Sequence, residues 1–241
     1  MSTLGDRDDA ILKHLQRYHL TTSDVLRRKF FPDTNDAAVR KVIARLIRER
    51  RMRGFDLFDN RKYYVLTARE AVARNEHRSI SREFNYQGFV NAYAVLCFCA
   101  AHGVDIYTPN EFEADFPDLI MRGVGSRNYY VERSEEPNRL AFILVDYGTN
   151  PERIAKKVGH IIARGYTLPP FTRLIQRGRF VITVLTADED KRSFIRAAIE
   201  ADPPQFVKVR LEVVPELRDI LVNRGRIRPA APRTGDTAGE E

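Results

Sequence analysis

The first third of the chain carries its apolar residues at helical spacing. Residues 8–19 contain a short apolar stripe, which predicts a first helix. A cluster of capping residues at 21–23 predicts the start of a second, short helix, and Pro32 ends it. Beyond it, Thr34 or Asn35 is predicted to cap a third helix. Apolar residues there recur at i, i+3, i+4, i+7 and i+8, the spacing of one buried helix face. That stripe comprises Val39, Val42, Ile43, Leu46 and Ile47. The pattern predicts three successive helices.

A hairpin is predicted after the third helix. Residues 51–67 contain aromatic and β-branched residues on both sides of the pair Asp59-Asn60. Asp and Asn tolerate the backbone of tight turns, so the segment favours a strand, a turn and a second strand. Residues 67–75 then have the composition of a closing helix.

A polar stretch at 75–82 separates this region from a second one and is interpreted as a domain junction. The segment 84–102 behind it is apolar nearly all round. Such a pattern indicates a helix that is buried, either within its own domain or against a partner chain. Gly103 is a natural stop for this helix, since glycine accepts the left-handed backbone at a helix end.

The rest of the chain alternates predicted strands and helices. Strands are expected at 104–108, 116–122, 139–147, 179–187 and 206–214. Helices are predicted at 151–164, with Asn150 or Thr149 as N-cap, and at 188–201, with a last helical turn at 215–223. The tail 224–241 is rich in Pro, Gly and charge and is predicted to be disordered. The order α-β-β-β-α-β-α-β predicts an α/β protein (α+β overall) with a mixed sheet.

The length of 241 residues and the uneven charge predict two domains, at 1–75 and 83–223. The net charge of +7 arises within the first 80 residues, which hold 18 Lys and Arg against 11 Asp and Glu. A local basic excess is the electrostatic footprint of a nucleic-acid-binding module. No apolar run could span a bilayer and no signal peptide is visible, so a cytoplasmic protein without membrane contact is expected.

The polar face of the third helix carries basic residues separated by small alanines, which let a helix approach a DNA groove closely. Three helices followed by a basic hairpin resemble the winged helix-turn-helix family of DNA-binding domains. The resemblance implies groove contacts from the helix and phosphate contacts from the hairpin. The candidate residues are Asn35, Arg40, Lys41, Ala44, Arg45 and Arg48 at the helix, with Arg51, Arg53, Arg61 and Lys62 at the hairpin.

The second region resembles the restriction-endonuclease-like, or PD-(D/E)xK, fold. In that family two acids on neighbouring strands hold a divalent metal ion, and a lysine stabilises the developing charge. Pro117-Asp118 matches the first acid and Asp146 the second, so both would be the metal ligands. Gly148 stands where the lysine is expected, and Lys156 or Lys157 in the following helix would replace it.

Over most of residues 8–215 the chain resembles the replication-relaxation family of mobile elements, which joins a winged helix to such a core. Asp146-Tyr147-Gly148-Thr149 keeps part of that family's strand-end pattern, whereas Leu144 replaces its glutamate. The site is therefore interpreted as incomplete. Glu113, Asp115 and Glu132 are nearby acids that could substitute for a missing ligand.

The sequence indicates no reactive thiol, no histidine metal site and no nucleotide-binding loop. Cys97 and Cys99 share one apolar segment and are interpreted as buried structural thiols. The five histidines are scattered and form no metal-binding spacing. Gly123 and Gly125 lack the third glycine and the following helix of a nucleotide-binding loop.

Together these features predict a sequence-specific double-stranded DNA-binding protein associated with the nucleoid. We expect a homodimeric transcriptional regulator of a plasmid or other mobile element, with a catalytically degenerate core and no cofactor. One alternative is a Mg²⁺-dependent nuclease that uses Asp118, Asp146 and Lys156 or Lys157. The other is an accessory protein of plasmid replication or relaxation.

Overall fold

The computed structural model describes residues 5–120, 127–133 and 138–223. Its first part contains the three predicted helices and the predicted hairpin, with a closing helix behind them. These elements are α1 Asp6–Tyr18, β1 Thr21–Thr22, α2 Ser23–Phe30, α3 Asp36–Arg48, β2 Met52–Asp56, β3 Lys62–Leu66 and α4 Ala68–Ala73. The sequence pattern predicted all of them except the two-residue strand β1.

Side-chain caps set the starts of these helices. The Thr22 side chain accepts a hydrogen bond from the backbone N–H of Val25 and begins α2. Of the two candidates before α3, Asn35 is the cap, since its Oδ1 accepts from the N–H of Ala38 at 3.1 Å. Each cap satisfies a backbone donor that the helix cannot satisfy itself.

The hairpin belongs to a small antiparallel sheet in which β3 lies between β1 and β2. Asp59 and Asn60 have φ values of 52° and 58° at its turn. These are left-handed conformations that Asp and Asn tolerate better than most residues, which explains why the turn forms there.

The predicted junction at 75–82 is partly packed rather than loose. A 3-10 turn occupies Arg78–Ser81, and Ile80 within it is buried against the core of the first region. The long apolar helix α5, Tyr86–His102, follows, with Asn85 as its cap. It ends at Gly103, whose φ of 64° confirms the predicted stop.

Two predicted strands are wrong. Residues 104–108 form an irregular segment, although the Tyr107 N–H donates to the Tyr129 carbonyl at 2.7 Å. The helix α6, Pro109–Asp115, follows because Thr108 and Glu111 form a reciprocal capping box, a start signal that the strand interpretation overlooked. The segment predicted as the second strand instead contains a 3-10 turn, Pro117–Leu119, and its last two residues lie outside the described residues.

The second region is built on a mixed four-stranded sheet of order β4-β5-β6-β7. Its strands are β4 Tyr129–Glu132, β5 Arg139–Val145, β6 Phe180–Thr186 and β7 Lys208–Val213. β4 is antiparallel to β5, and the other neighbours are parallel. The predicted α/β class with a mixed sheet is therefore confirmed. The strand β4 was not predicted, because it is short and begins inside a segment interpreted as a loop.

Helices cover both faces of this sheet. The remaining helices are α7 Pro151–Gly165, α8 Pro169–Gln176, α9 Glu189–Glu200 and α10 Glu216–Val222. Alternate residues of β5 point to opposite faces, so Ala141, Ile143 and Val145 pack in a cluster with α5. Leu140 packs in the second cluster with α7 and α9. The result is three layers, with the sheet in the middle.

The first region shares a core with α5. One hydrophobic cluster includes Tyr18, Val25 and Tyr63 from the first region together with Phe89 and Val95 of α5. The α5 helix is thus covered within the chain, so its apolar character does not require a partner subunit. The tail 224–241 and the pair Gly123 and Gly125 lie outside the described residues. Within the described part, no helix is long and apolar enough to cross a membrane.

Candidate functional site

The helix α3 is anchored by one face. Val39, Ile43 and Leu46 are at most 6% exposed and belong to the core of the first region, and Val42 packs against them partly buried. Ile47, the fifth residue of the predicted stripe, is 40% exposed, so the prediction that it is buried is wrong. Because this buried face fixes the rotation of the helix, the opposite face is presented to solvent in one defined orientation.

The exposed face of α3 carries cations that have no partner among the described residues. Arg40, Lys41 and Arg48 are exposed, and none of them makes an ion pair or side-chain hydrogen bond with the described residues. The exposed Ala44 lies between them on the helix surface. We call Arg40, Lys41, Ala44 and Arg48 the α3 face. Side chains one turn apart lie on the same side of a helix, so the three charges form a stripe.

The other predicted cation of α3, Arg45, turns inward. Its guanidinium lies 2.5 and 2.6 Å from the two carboxylate oxygens of Asp8, which is 6% exposed. This pair ties α3 to α1. Asn35, also a predicted contact residue, holds the start of the helix through its capping bond.

The cations of the hairpin are mostly engaged within the chain. Arg51 donates to Glu70 at 2.9 Å, and Arg53 donates to the Ser81 carbonyl. Arg61 lies 3.3 Å from Asp219 on α10, so the tip of the hairpin contacts the second region. Lys62 pairs with Asp56 across the hairpin at 3.2 Å. The last two pairs are solvent-exposed, and exposed pairs contribute little stability. Their cations could therefore exchange these partners for phosphate.

A second arrangement lies where β5 ends. The carboxylate of Asp146 is fully buried. Its Oδ1 accepts hydrogen bonds from the Thr149 N–H at 2.9 Å and the Thr149 hydroxyl at 3.1 Å. These bonds close the turn that leads into α7, whose cap is Asn150 rather than Thr149.

The lysine beside Asp146 is not one of the two predicted. Lys156 is exposed, and Lys157 lies over the ring of Tyr147 at 5.4 Å. Lys191, from α9, instead donates to the Thr149 carbonyl and places its Nζ 4.0 Å from Asp146 Oδ2. Lys191 thus joins the loop after β5 to the helix after β6.

The predicted first acid lies elsewhere. Asp118 is exposed in the 3-10 turn that packs near α8, and the expectation that it lies on a strand is wrong. Proline favours the first position of such a turn, which explains why Pro117 begins one here. No hydrogen bond or ion pair joins Asp118 to Asp146 among the described residues.

The substitute acids do not complete the site. Glu113 and Asp115 lie exposed on α6, and Glu132 at the end of β4 is paired with Arg210. Within the described residues, no group of three His, Cys, Asp or Glu could hold a metal ion. Asp146 by itself does not fit a magnesium ion, which takes several oxygen ligands in octahedral geometry. Its Oδ1 accepts two hydrogen bonds from Thr149, its buried Oδ2 has no hydrogen-bond partner among the described residues, and no second carboxylate joins it there. We derive no metal-dependent step from these residues.

The two thiols are placed as predicted, inside α5. Burial raises the pKa of both Cys97 and Cys99 to about 12. They are therefore protonated at neutral pH, and thiol chemistry needs the thiolate.

Two arrangements therefore stand out, the exposed α3 face and the buried Asp146–Lys191 pair. Since a fold alone does not specify a function, the side chains of these arrangements must carry the argument. Comparison with protein-family models, with curated proteins and with solved structures finds no match to this chain.

Proposed function

We propose that this protein binds double-stranded DNA through the α3 face. The observation that carries the proposal is the contrast between α3 and its surroundings. Arg40, Lys41 and Arg48 have no acidic partner among the described residues, whereas neighbouring cations such as Arg45 and Arg51 are paired. Exposed cations left without counter-charges on one face suit a polyanion, because phosphate neutralisation releases counterions from the duplex.

The arrangement of the first region supports a winged helix. Three helices precede the antiparallel hairpin β2–β3, and β1 adds a third strand beside β3. In such domains the third helix enters the major groove, which is about 12 Å wide and admits one helix. Ala44 keeps the centre of the α3 face shallow, so that Arg40 and Arg48 could reach base edges or phosphates on either side.

The hairpin is assigned a supporting role. Arg61 and Lys62 are about half exposed and held only by solvent-exposed ion pairs. They are placed to contact phosphate at the tip of the wing. Arg51 and Arg53 contact Glu70 and Ser81 of their own chain, so in this proposal they position the hairpin rather than meet the DNA.

For the second region we propose a structural, non-cutting role as a degenerate restriction-endonuclease-like core. The mixed sheet and the acid at the end of β5 support the likeness. The buried Asp146 and the partly exposed Lys191 join the loop after β5 to α9, which is an arrangement suited to holding the fold. The resemblance to the replication-relaxation family, and with it a role in regulating a plasmid or mobile element, belongs to the same proposal.

The test removes the three cations of the α3 face together, as Arg40→Ala, Lys41→Ala and Arg48→Ala. We expect the affinity for a random-sequence duplex to fall by at least tenfold at low salt. The salt dependence should also weaken, by roughly 0.9 in the slope of log K against log salt for each phosphate that the variant no longer neutralises. Fluorescence anisotropy with a labelled duplex measures both quantities.

A matched control removes the same charge from α7. Arg153, Lys156 and Arg164 are exposed there and make no ion pair with the described residues. The triple alanine variant at these positions should bind DNA as the wild type does. An equal loss of affinity in both triple variants would mean that only net charge matters, and the α3 assignment would be abandoned.

The biological role is tested by recovering genomic fragments bound to the purified protein in EDTA. A regulator is expected to select a few short inverted repeats beside promoters, whereas an accessory replication protein selects an origin. Diffuse binding without a motif would oppose both roles. Supercoiled plasmid with Mg²⁺ then tests the nuclease alternative. Nicking that Asp146→Asn abolishes while the variant keeps the wild-type circular dichroism spectrum would contradict the structural role of the core.

A further inference from the structure

The two edges of the four-stranded sheet differ. The edge strand β4 is accompanied by the segment before α6, through the hydrogen bond from Tyr107 to Tyr129. On the other edge, β7 pairs with β6 on one side only, and no described residue forms a backbone hydrogen bond with residues 209–213 on their outer side. An open edge presents unpaired N–H and C=O groups and is a ready template for another strand.

The side chains of β7 alternate between two faces. Val209 and Leu211 pack on the cluster that includes α9. Arg210 and Glu212 lie on the other face, with Arg210 Nε 3.8 Å from Glu212 Oε1. Arg210 also forms an ion pair with Glu132 of β4. One face of the strand is thus apolar and the other carries one positive and one negative charge.

We propose that two copies of this chain associate by antiparallel pairing of β7 with β7, centred on Leu211. In this register Arg210 of each copy stands opposite Glu212 of the partner subunit, so the two-fold axis creates two ion pairs. On the other face Leu211 meets Leu211 of the partner subunit, and Val209 meets Val213 of the partner subunit. A two-fold interface requires such self-complementarity, and cross-strand pairs of this kind stabilise a sheet.

The register follows from charge. If the axis passed through Arg210 instead, two arginines would face each other at the centre, and directly opposed like charges destabilise a strand pair. Centring on Leu211 removes that contact, and between residues 209 and 213 it opposes only unlike charges or apolar residues.

An apolar groove beside β7 also supports a second copy of the chain as the partner. A cavity of about 260 Å³ lies along β7 on the side of α9. Its apolar wall is formed by Ile199, Pro203, Pro204, Val207, Val209 and Leu211. The apolar face of a paired β7 strand would extend over this wall, whereas an isolated chain leaves it in water.

The association goes beyond DNA binding, and it would place two α3 faces in one particle. It is measured without DNA, so that its failure and the failure of the proposed function are separate results. Sedimentation velocity of the full chain over a range of micromolar concentrations should show a dimer. Glu212→Arg should give a monomer, because Arg210 would then face an arginine in the partner subunit.

The decisive measurement mixes two variants. Arg210→Glu is made together with Glu132→Gln, so that the new carboxylate does not face the buried acid that Arg210 pairs with. This variant should also be monomeric alone, yet an equal mixture with Glu212→Arg should form a dimer, since each Arg–Glu pair is restored across the interface. A variant that merely fails to fold cannot produce this rescue. Glu113→Arg, with the same charge change on α6 near the opposite edge, should remain a dimer.

Two outcomes would overturn the proposal. The first is a wild-type chain that stays monomeric at every concentration, including a chain shortened to end at Asn223. The second is a dimer that Glu212→Arg leaves intact or that the mixture of variants fails to restore. If only the shortened chain dimerises, the tail rather than a second copy occupies the edge, and the proposal fails for the full protein.

Discussion

At the scale of single residues, the buried Asp146 is the position where sequence and structure differ most usefully. Its place at the end of a strand and before a helix was predictable from the apolar run that precedes it. The identity of its partner was not predictable from the sequence. Lys191 lies on α9 and reaches the loop after β5 only because β5 and β6 are adjacent in the sheet. The two lysines nearest in sequence point to solvent or to Tyr147. A carboxylate buried in this way needs its counter-charge, since removing one partner leaves the other charge uncompensated.

Replacing that counter-charge should destabilise the protein. Lys191→Met keeps most of the side-chain volume and removes the ammonium group. We expect a loss of about 3 kcal/mol, the low end for breaking a buried ion pair, because Lys191 is partly exposed. Urea unfolding followed by circular dichroism measures this loss.

The control is the double variant with Asp146→Asn, which removes both charges while an amide oxygen still accepts from Thr149. It should be more stable than Lys191→Met alone. If Lys191→Met unfolds at the wild-type urea concentration, the ammonium group does not stabilise the buried carboxylate.

At the scale of elements, helices with caps and strongly patterned strands were predictable, and short or weakly patterned ones were not. The stripe of α3 and its cap, the stop of α5 at Gly103 and the apolar run of β6 are local signals, so the sequence alone locates them. The segment 104–108 has strand composition but makes a single backbone contact with β4, too little to form a strand. β4 itself owes its pairing to β5, a tertiary contact that overrides its weak local pattern.

At the scale of the whole molecule, the predicted boundary between domains is crossed by a shared core and by ion pairs. Tyr63 of the hairpin packs on Phe89 of α5 with ring centroids 5.0 Å apart. Arg17 of α1 makes two hydrogen bonds to Glu111, at 2.7 and 2.6 Å. Lys29 of α2 pairs with Asp105 at 3.0 Å. Such contacts connect the first region, which carries the α3 face, to α5 and to α6. A DNA-binding unit oriented by a dimer, as proposed, would require connections of this kind.

The shared core predicts that both regions unfold together. Phe89→Ala should lower the free energy of unfolding by about 3–5 kcal/mol, the usual cost of emptying a buried phenylalanine site. Hydrogen exchange should then show equal losses of protection in α3 and in β6, although the substitution lies in neither. Val72→Ala, at a side chain that is 46% exposed, serves as the control and should change little. Unchanged protection of α3 in the Phe89 variant would show that the first region is independently stable.

The sequence by itself determined the α/β class, the three N-terminal helices with their hairpin, and the cationic α3 face, because spacing, caps and turn residues act over a few positions. It also determined that Asp146 follows the last residue of β5. Only the tertiary structure decided which cations have no partner within the described part of the chain, that Lys191 and not Lys156 or Lys157 meets Asp146, and that Asp118 lies off the sheet. Those outcomes depend on which segments far apart in the sequence pack together. The local pattern of residues does not show which distant side chains come within bonding distance.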